Sequence, residues 1–311
     1  MAYSLEEINR RVLSDPQGFV NDCDREGQSR VEEAAEKIIA NIPNSPIVLL
    51  AGPSGSGKTT TARKVEAELE KRGVNTIAVA MDNYFKTLDP ETAPRTEKGD
   101  IDFESPLCMD MELMNEHFEM LSRGEEIKVP HFIFSRQKRS TSEFTPLRIG
   151  KNEVAIFEGI HAFNDEITNA HPEAFNLYIS ANSRITKGGE DFFRKRWMRM
   201  MRRIVRDDKF RGTSAETTLK LWGNVVASEE KNMFPNVYKA DMRVDSALAY
   251  EVPLMKKFAM PLLKKLPEGK PWTREIPELM AALGEFEELD ERYVGPESLI
   301  REFIGGGIYN Y

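Results

Sequence analysis

Gly52-Pro53-Ser54-Gly55-Ser56-Gly57-Lys58-Thr59 matches G-x-x-x-x-G-K-[ST] at every fixed position. Its flanks supply the context such a pattern needs. Pro46-Ile47-Val48-Leu49-Leu50-Ala51 is a short apolar run that reads as a buried strand, and residues 60–71 read as a helix with Ala62, Val65 and Leu69 at helical spacing. Glycines let backbone N–H groups wrap a phosphate without Cβ clashes, and the helix N-terminus adds partial positive charge. Gly52, Ser54, Gly55, Ser56, Gly57, Lys58, Thr59 and Thr60 are therefore the expected contacts to the phosphates of a bound nucleotide. Lys58 should reach the β- and γ-phosphates, and the Thr59 hydroxyl should bind Mg²⁺.

Downstream, Arg72-Gly73 ends the helix and residues 75–81 read as a second buried strand. Strand, helix, strand is the start of a parallel α/β sheet. Asp82 follows at the strand's C-terminal end, where ligands of such sheets sit. It can face the phosphates or cap a turn, and the local sequence leaves both open. Residues 154–159 form a third apolar strand ending in Glu158, an acid placed to hold Mg²⁺ directly or through water. Residues 175–180 and 241–245 read as two more, giving a sheet of about five strands with helices on both faces. The expected organisation is an N-terminal helical extension over 1–42, a P-loop kinase core over 43–250, and a C-terminal helical extension over 251–311. In the first extension, Ser4 with Glu7 resembles a capping box, and Asp15-Pro16-Gln17-Gly18 separates two helices. Within the core, 86–150 reads as an inserted substrate subdomain containing a helix and a hairpin, and about 188–213 as a lid.

The lid region carries Arg194, Lys195, Arg196, Arg199, Arg202, Arg203, Arg206, Lys209 and Arg211 beside an apolar stripe of Phe193, Trp197, Met200 and Ile204. With few acids nearby in sequence, a phosphate-facing role is expected. It could close on a transferring phosphoryl group or grip a nucleic-acid backbone. Residues 275–291 hold seven acids and no Lys or Arg, which reads as solvated surface. The net charge of −8 argues against a general nucleic-acid binder. Two cysteines, Cys23 and Cys108, give neither a disulfide framework nor a metal pattern, so a reducing, cytoplasmic compartment is expected. No apolar run approaches a membrane span, and the N-terminus lacks the apolar core of a signal peptide.

Taken in order, the phosphate loop, Asp82-Asn83-Tyr84-Phe85, Asp102-Phe103-Glu104, Pro130-His131-Phe132-Ile133-Phe134, Phe157-Glu158-Gly159-Ile160 and Arg203…Arg206-Asp207…Arg211-Gly212 resemble the uridine kinase family, within the wider uridine kinase and phosphoribulokinase group. The closing run Ser298 to Gly306 resembles its bacterial branch that often carries a TGS-type region, although that region is missing here. The resemblance implies ATP- and Mg²⁺-dependent transfer to a nucleoside 5′-hydroxyl. It implies Asp82 as base, Glu158 as the Mg²⁺-site acid, Arg206 and Arg211 as lid arginines on the phosphates, and Arg203 near the acceptor. Tyr84, Glu104, Phe132, Phe134, Gln137 and Arg139 fall at acceptor-site positions. Glu104 replaces an aspartate that holds the ribose hydroxyls, Phe132 a tyrosine and Gln137 a histidine, so the phosphotransfer machinery is kept while the base pocket is altered. Kinases of a sugar, sugar phosphate or pantothenate-like alcohol, and a nucleotide-regulated RNA-binding protein, are the alternatives. A homo-oligomer is compatible with either. A GTPase is disfavoured by the absence of an Asn-Lys-x-Asp motif.

Overall fold

Two apolar faces on one set of strands require two layers of helices, and the structure, a computed structural model describing residues 2–95 and 99–309, supplies both. In chain order the elements are β1 (Ala2–Ser4), α1 (Leu5–Ser14), α2 (Pro16–Asn41), β2 (Ile47–Ala51), α3 (Lys58–Lys71), β3 (Asn75–Ala80), α4 (Met111–Ser122), β4 (Ile127–Ile133), β5 (Lys138–Leu147) and β6 (Glu153–Glu158). They continue with α5 (Asp165–Thr168), β7 (Phe175–Ser180), β8 (Arg184–Lys187), β9 (Glu190–Phe193), α6 (Lys195–Phe210), α7 (Ala215–Ser228), β10 (Met242–Asp245), α8 (Glu251–Leu263), α9 (Ile276–Gly284) and α10 (Arg301–Ile304).

The main sheet runs β10-β7-β2-β6-β3, with every pair parallel. β2 lies at its centre and all five of its residues are buried, which explains an unbroken apolar run in place of alternation. Val48 and Leu50 face α2 and α3, packing with Val31, Ala35, Val65 and Leu69. Ile47, Leu49 and Ala51 face the opposite layer, with Phe118 of α4, Phe157 and Phe163. A third core is mostly helical and joins α1, the start of α2, α6, α7, α8 and α9 to the C-terminal segment, with Ile185 of β8 and Phe193 of β9 among them. This is a P-loop kinase fold with a parallel five-stranded sheet flanked by helices.

Several local expectations are corrected. Residues 2–4 are a strand rather than helix, pairing in parallel with β8 some 180 residues away (Tyr3 opposite Ile185). Three residues carry no periodicity by which such a strand could be read. Ser4 does cap α1, accepting from the Glu7 N–H at 3.1 Å, but the Glu7 carboxylate turns to Arg10 at 2.6 Å instead of completing the box. Asp15 caps α2 by accepting from Gly18 N–H, with Pro16 in the first turn. β3 is an edge strand in which only Val79 is buried, not a second interior strand. The acids of 275–291 are not merely solvated: Glu275 and Glu278 bind Arg194 and Arg196, Glu285 binds Lys187, and Glu291 lies against Lys257 and Arg301.

Candidate active site

The loop between β2 and α3 approaches the neighbouring strand so closely that a Cβ on Gly52 would lie 2.2 Å from the Ile179 carbonyl. Gly57 caps α3 at φ +79°, a left-handed conformation that favours glycine. α6 lies over the loop: Arg202 donates to the Gly55 carbonyl at 3.2 Å and Arg203 to the Ser54 hydroxyl at 2.7 Å. Ser246 donates to the Ser56 carbonyl. The Ser54 N–H donates to Glu229 at 2.7 Å, and Glu229 in turn accepts from Arg199 at 2.5 Å. Glu302, from the C-terminal segment, accepts from the Thr60 hydroxyl at 2.5 Å and from its N–H at 3.4 Å. Thr59 sits in the first turn of α3.

Lys58 extends back over the loop, its Nζ donating to the Pro53 carbonyl at 3.4 Å. Burial pushes its ammonium pKa down, against the upward pull of Glu158, Glu302, Glu229 and Asp82. Two of those acids stand at adjacent strand ends. Glu158 ends β6 and pairs in register with Ala80 of β3, and Asp82 follows two residues later. Burial raises both carboxyls above the usual range, with Lys58 opposing the rise. Asp82 keeps an accessible face, yet that face opens into a cavity walled by protein.

This cavity, of about 390 Å³, brings together Ser54, Lys58, Asp82, Glu104, Arg203 and Arg211, with Phe134 and His161 also in its wall. Burial raises the Glu104 carboxyl, with Arg203 pulling it back. Burial likewise lowers the Arg203 and Arg211 guanidinium pKa values, opposed by Asp207 at 3.8 and 3.7 Å. A separate apolar cavity of about 220 Å³ abuts it through Phe85, Phe103 and Phe134, and holds Phe132 and Gln137. Phe85, Phe132 and Phe134 pack edge to face, with centroids 5.1–6.4 Å apart.

The remaining candidates lie elsewhere. Tyr84 is fully buried in the core with its hydroxyl on His117 Nδ1 at 2.9 Å. Arg139 clamps the Asp110 carboxylate and the Tyr84 and Phe85 carbonyls, so it shapes the cavity from behind. Arg206 donates to Asp207 at 2.8 Å and is outside the cavity wall. Acids few in the local sequence are supplied by the fold: Arg199 pairs with Glu229 and Arg202 with Glu251, while Arg203, Arg206 and Arg211 gather on the local Asp207. Sequence reading missed Glu229, Glu302 and His161. Only His161 left a local signal, standing three residues after the strand-end Glu158.

A phosphate chain fits the loop, because close-packed glycines, the start of α3, Lys58 and two cavity arginines converge there. Among the described residues no cluster of three or more His, Cys, Asp or Glu forms a metal cage. The Thr59 hydroxyl with Asp82 and Glu158 instead suits Mg²⁺, which keeps waters and takes one or two carboxylates plus substrate phosphates. Among the described residues no helix is long and apolar enough to cross a membrane.

Residues 47–252 match the phosphoribulokinase / uridine kinase family. The chain is 29% identical to a uridine kinase of Staphylococcus haemolyticus over 185 residues, covering 59% of this chain and 78% of that one. It is 26% identical to a uridine kinase of Halobacterium salinarum over 194 residues, covering 62% and 76%. Among solved structures, a protein provisionally named a fructose transport system kinase, from Silicibacter sp. TM1040, superposes with a TM-score of 0.47 at 18% identity, covering 68% of this chain and 98% of that one. With its phosphate loop, parallel sheet and family match in agreement, the chain belongs to the phosphoribulokinase / uridine kinase family and is a phosphotransferase with an alcohol group as acceptor.

Proposed function

We propose that this protein is an ATP- and Mg²⁺-dependent kinase of a small polyhydroxylated metabolite, with a nucleoside 5′-hydroxyl as the best-supported acceptor. The observation that carries this reading is one cavity of about 390 Å³ in which Asp82 and Glu104 share walls with Lys58, Arg203 and Arg211. Mg²⁺-ATP, bound through the phosphate loop, Thr59 and Glu158, would supply the transferable γ-phosphoryl. Asp82 accepts the proton of the acceptor hydroxyl as its oxygen bonds to phosphorus. Lys58 and Arg211 stabilise the charge developing on the phosphoryl oxygens as the bond to the departing ADP breaks. Glu104 holds neighbouring hydroxyls, since an ionised carboxylate accepts two such hydrogen bonds. The adjoining phenylalanine-lined cavity offers edges and faces to a planar base, which favours a nucleoside over a simple sugar. The RNA-contact alternative loses its main support, because the arginines proposed to grip a backbone are engaged by acids.

The test is an acceptor screen with purified protein, ATP and Mg²⁺ over nucleosides, sugars and polyols. ADP release dependent on one acceptor, strongest for a nucleoside, is expected. Strongest turnover on a sugar or pantothenate-like alcohol would replace the nucleoside assignment, and no acceptor-dependent ADP with any of them would overturn the kinase reading.

A further inference from the structure

His161 has no place in the phosphotransfer chemistry above, yet it stands in the wall of the acceptor cavity. It follows the strand-end Glu158 by three residues, and its surface is only 3% exposed. Neither ring nitrogen makes a hydrogen bond of good geometry, the Glu104 carbonyl being the one backbone acceptor that pulls on the ring. Among the described residues the other three histidines differ. His117 binds the Tyr84 hydroxyl, His131 the Thr145 hydroxyl, and His171 rests its Nδ1 3.7 Å from Glu173 while packing on Phe118.

Buried polar atoms in native proteins are almost always paired, and each one left bare costs its desolvation. A leucine at 161 would avoid that cost, so folding alone does not call for a histidine there. Burial holds this imidazole down at about 4, against the pull of the Glu104 carbonyl and the Asp102 charge. The ring is therefore neutral at pH 7, with one nitrogen a donor and the other an acceptor. Across the cavity, Arg203 can only donate and an ionised Glu104 can only accept. A hydroxyl both gives and takes, so it satisfies the imidazole in either tautomer.

We propose that His161 is a specificity-determining residue, whose neutral imidazole hydrogen-bonds a hydroxyl of the acceptor other than the one phosphorylated. This rests on the kinase reading of the cavity and narrows it, because it requires a polyhydroxy acceptor. An acceptor lacking that hydroxyl is discriminated against because the ring nitrogen stays desolvated and bare.

The test uses the full chain with ATP and Mg²⁺, uridine as first probe, and its 2′- and 3′-deoxy analogues. Should the acceptor screen favour a sugar instead, that sugar and its deoxy forms replace them. His161→Leu is expected to raise acceptor KM about tenfold or more with kcat and ATP KM within about threefold. Its Tm should be equal or higher, and the preference for the hydroxylated acceptor over one deoxy analogue should shrink. His161→Asn, which keeps hydrogen-bonding capacity, should recover part of the affinity. As a readout independent of any variant's folding, the ¹⁵N resonances of the His161 ring in the wild-type protein should move when acceptor is added. An unchanged acceptor KM in His161→Leu, or ring resonances that stay put at saturating acceptor, overturns the proposal while leaving the kinase reading intact. If wild-type protein phosphorylates no hydroxylated compound, the kinase reading fails and this inference falls with it.

Discussion

Asp82 and Glu104 are carboxylates in one cavity for which two different roles are proposed, and single changes should separate them. Asp82→Asn keeps shape and loses basicity, so kcat should fall by about 10²–10⁴ while acceptor KM changes little. Glu104→Gln should mainly raise acceptor KM, and the loss should be smaller for an acceptor lacking one hydroxyl. Steady-state kinetics with both variants would sink the division of labour if their KM and kcat effects were interchanged. The raised Asp82 carboxyl also has a consequence for stability. A carboxyl whose folded-state pKa exceeds its unfolded value destabilises the fold above that raised value. The cost fades as pH falls and is gone below the ordinary range near ~4. Asp82→Asn should therefore raise Tm at pH 7–8, with the gain disappearing in melts below about pH 4. A Tm gain that persisted in acid would contradict burial as its cause. The same raised pKa should move the acid limb of the rate profile upward, with activity lost as pH falls through it.

At the scale of elements, α6 combines a structural helix with a functional one. Arg202 and Glu251 are fully buried, joined at 2.5 and 2.6 Å, and tie α6 to α8. Glu251→Gln leaves a buried guanidinium without its counter-charge and should cost about 3–5 kcal/mol in denaturant unfolding. A cost under 1 kcal/mol would mean the pair is solvated in solution. Arg211 faces the cavity with a largely exposed side chain, whereas Arg206 stays on Asp207. Arg211→Ala should therefore lower kcat by about 10–100-fold with ATP KM within about threefold, the pattern of a contact made only on closure. The C-terminal segment is the other element that reaches the phosphate loop. Leu299 lies where a Cβ on Gly57 would meet it at 3.0 Å, and Glu302 sits on Thr60 at the start of α3. A carboxylate at that helix end opposes a phosphate arriving at the same donors. Glu302→Gln should lower ATP KM by about two- to fivefold, a gain of the size expected for one charge near a helix terminus. A raised ATP KM would assign Glu302 a supporting role instead.

Over the whole molecule, both terminal regions are built into the core. α2 covers one face of the main sheet through Val31, Ala34, Ala35 and Ile38, each 3% exposed or less. Phe303, Ile300 and Ile304 at the other end are equally buried among the helices of the third core. Removing residues 1–42 should bare Val48, Leu50, Ile156 and Leu177, leaving a chain without near-UV circular dichroism or a cooperative melt. A truncated protein that melts cooperatively would show that the core stands without this layer. The phosphate loop, the strand segments of the main sheet and the strand-end acids were readable in the sequence, because each depends on residues a few positions apart. Glycine conformation, apolar runs and helix starts are local properties. Which arginines are free for phosphate was not readable. The acids that engage Arg199, Arg202 and Arg194 lie 30, 49 and 84 residues along the chain. Only folding brings those charges together, and the same packing buries Tyr84 away from the cavity and sets His161 in its wall without a hydrogen bond of good geometry. Sequence alone thus determined the phosphate loop and the sheet that carries it, whereas which side chains line the adjoining cavity was decided by tertiary contacts, since burial and charge pairing are properties of neighbours in space.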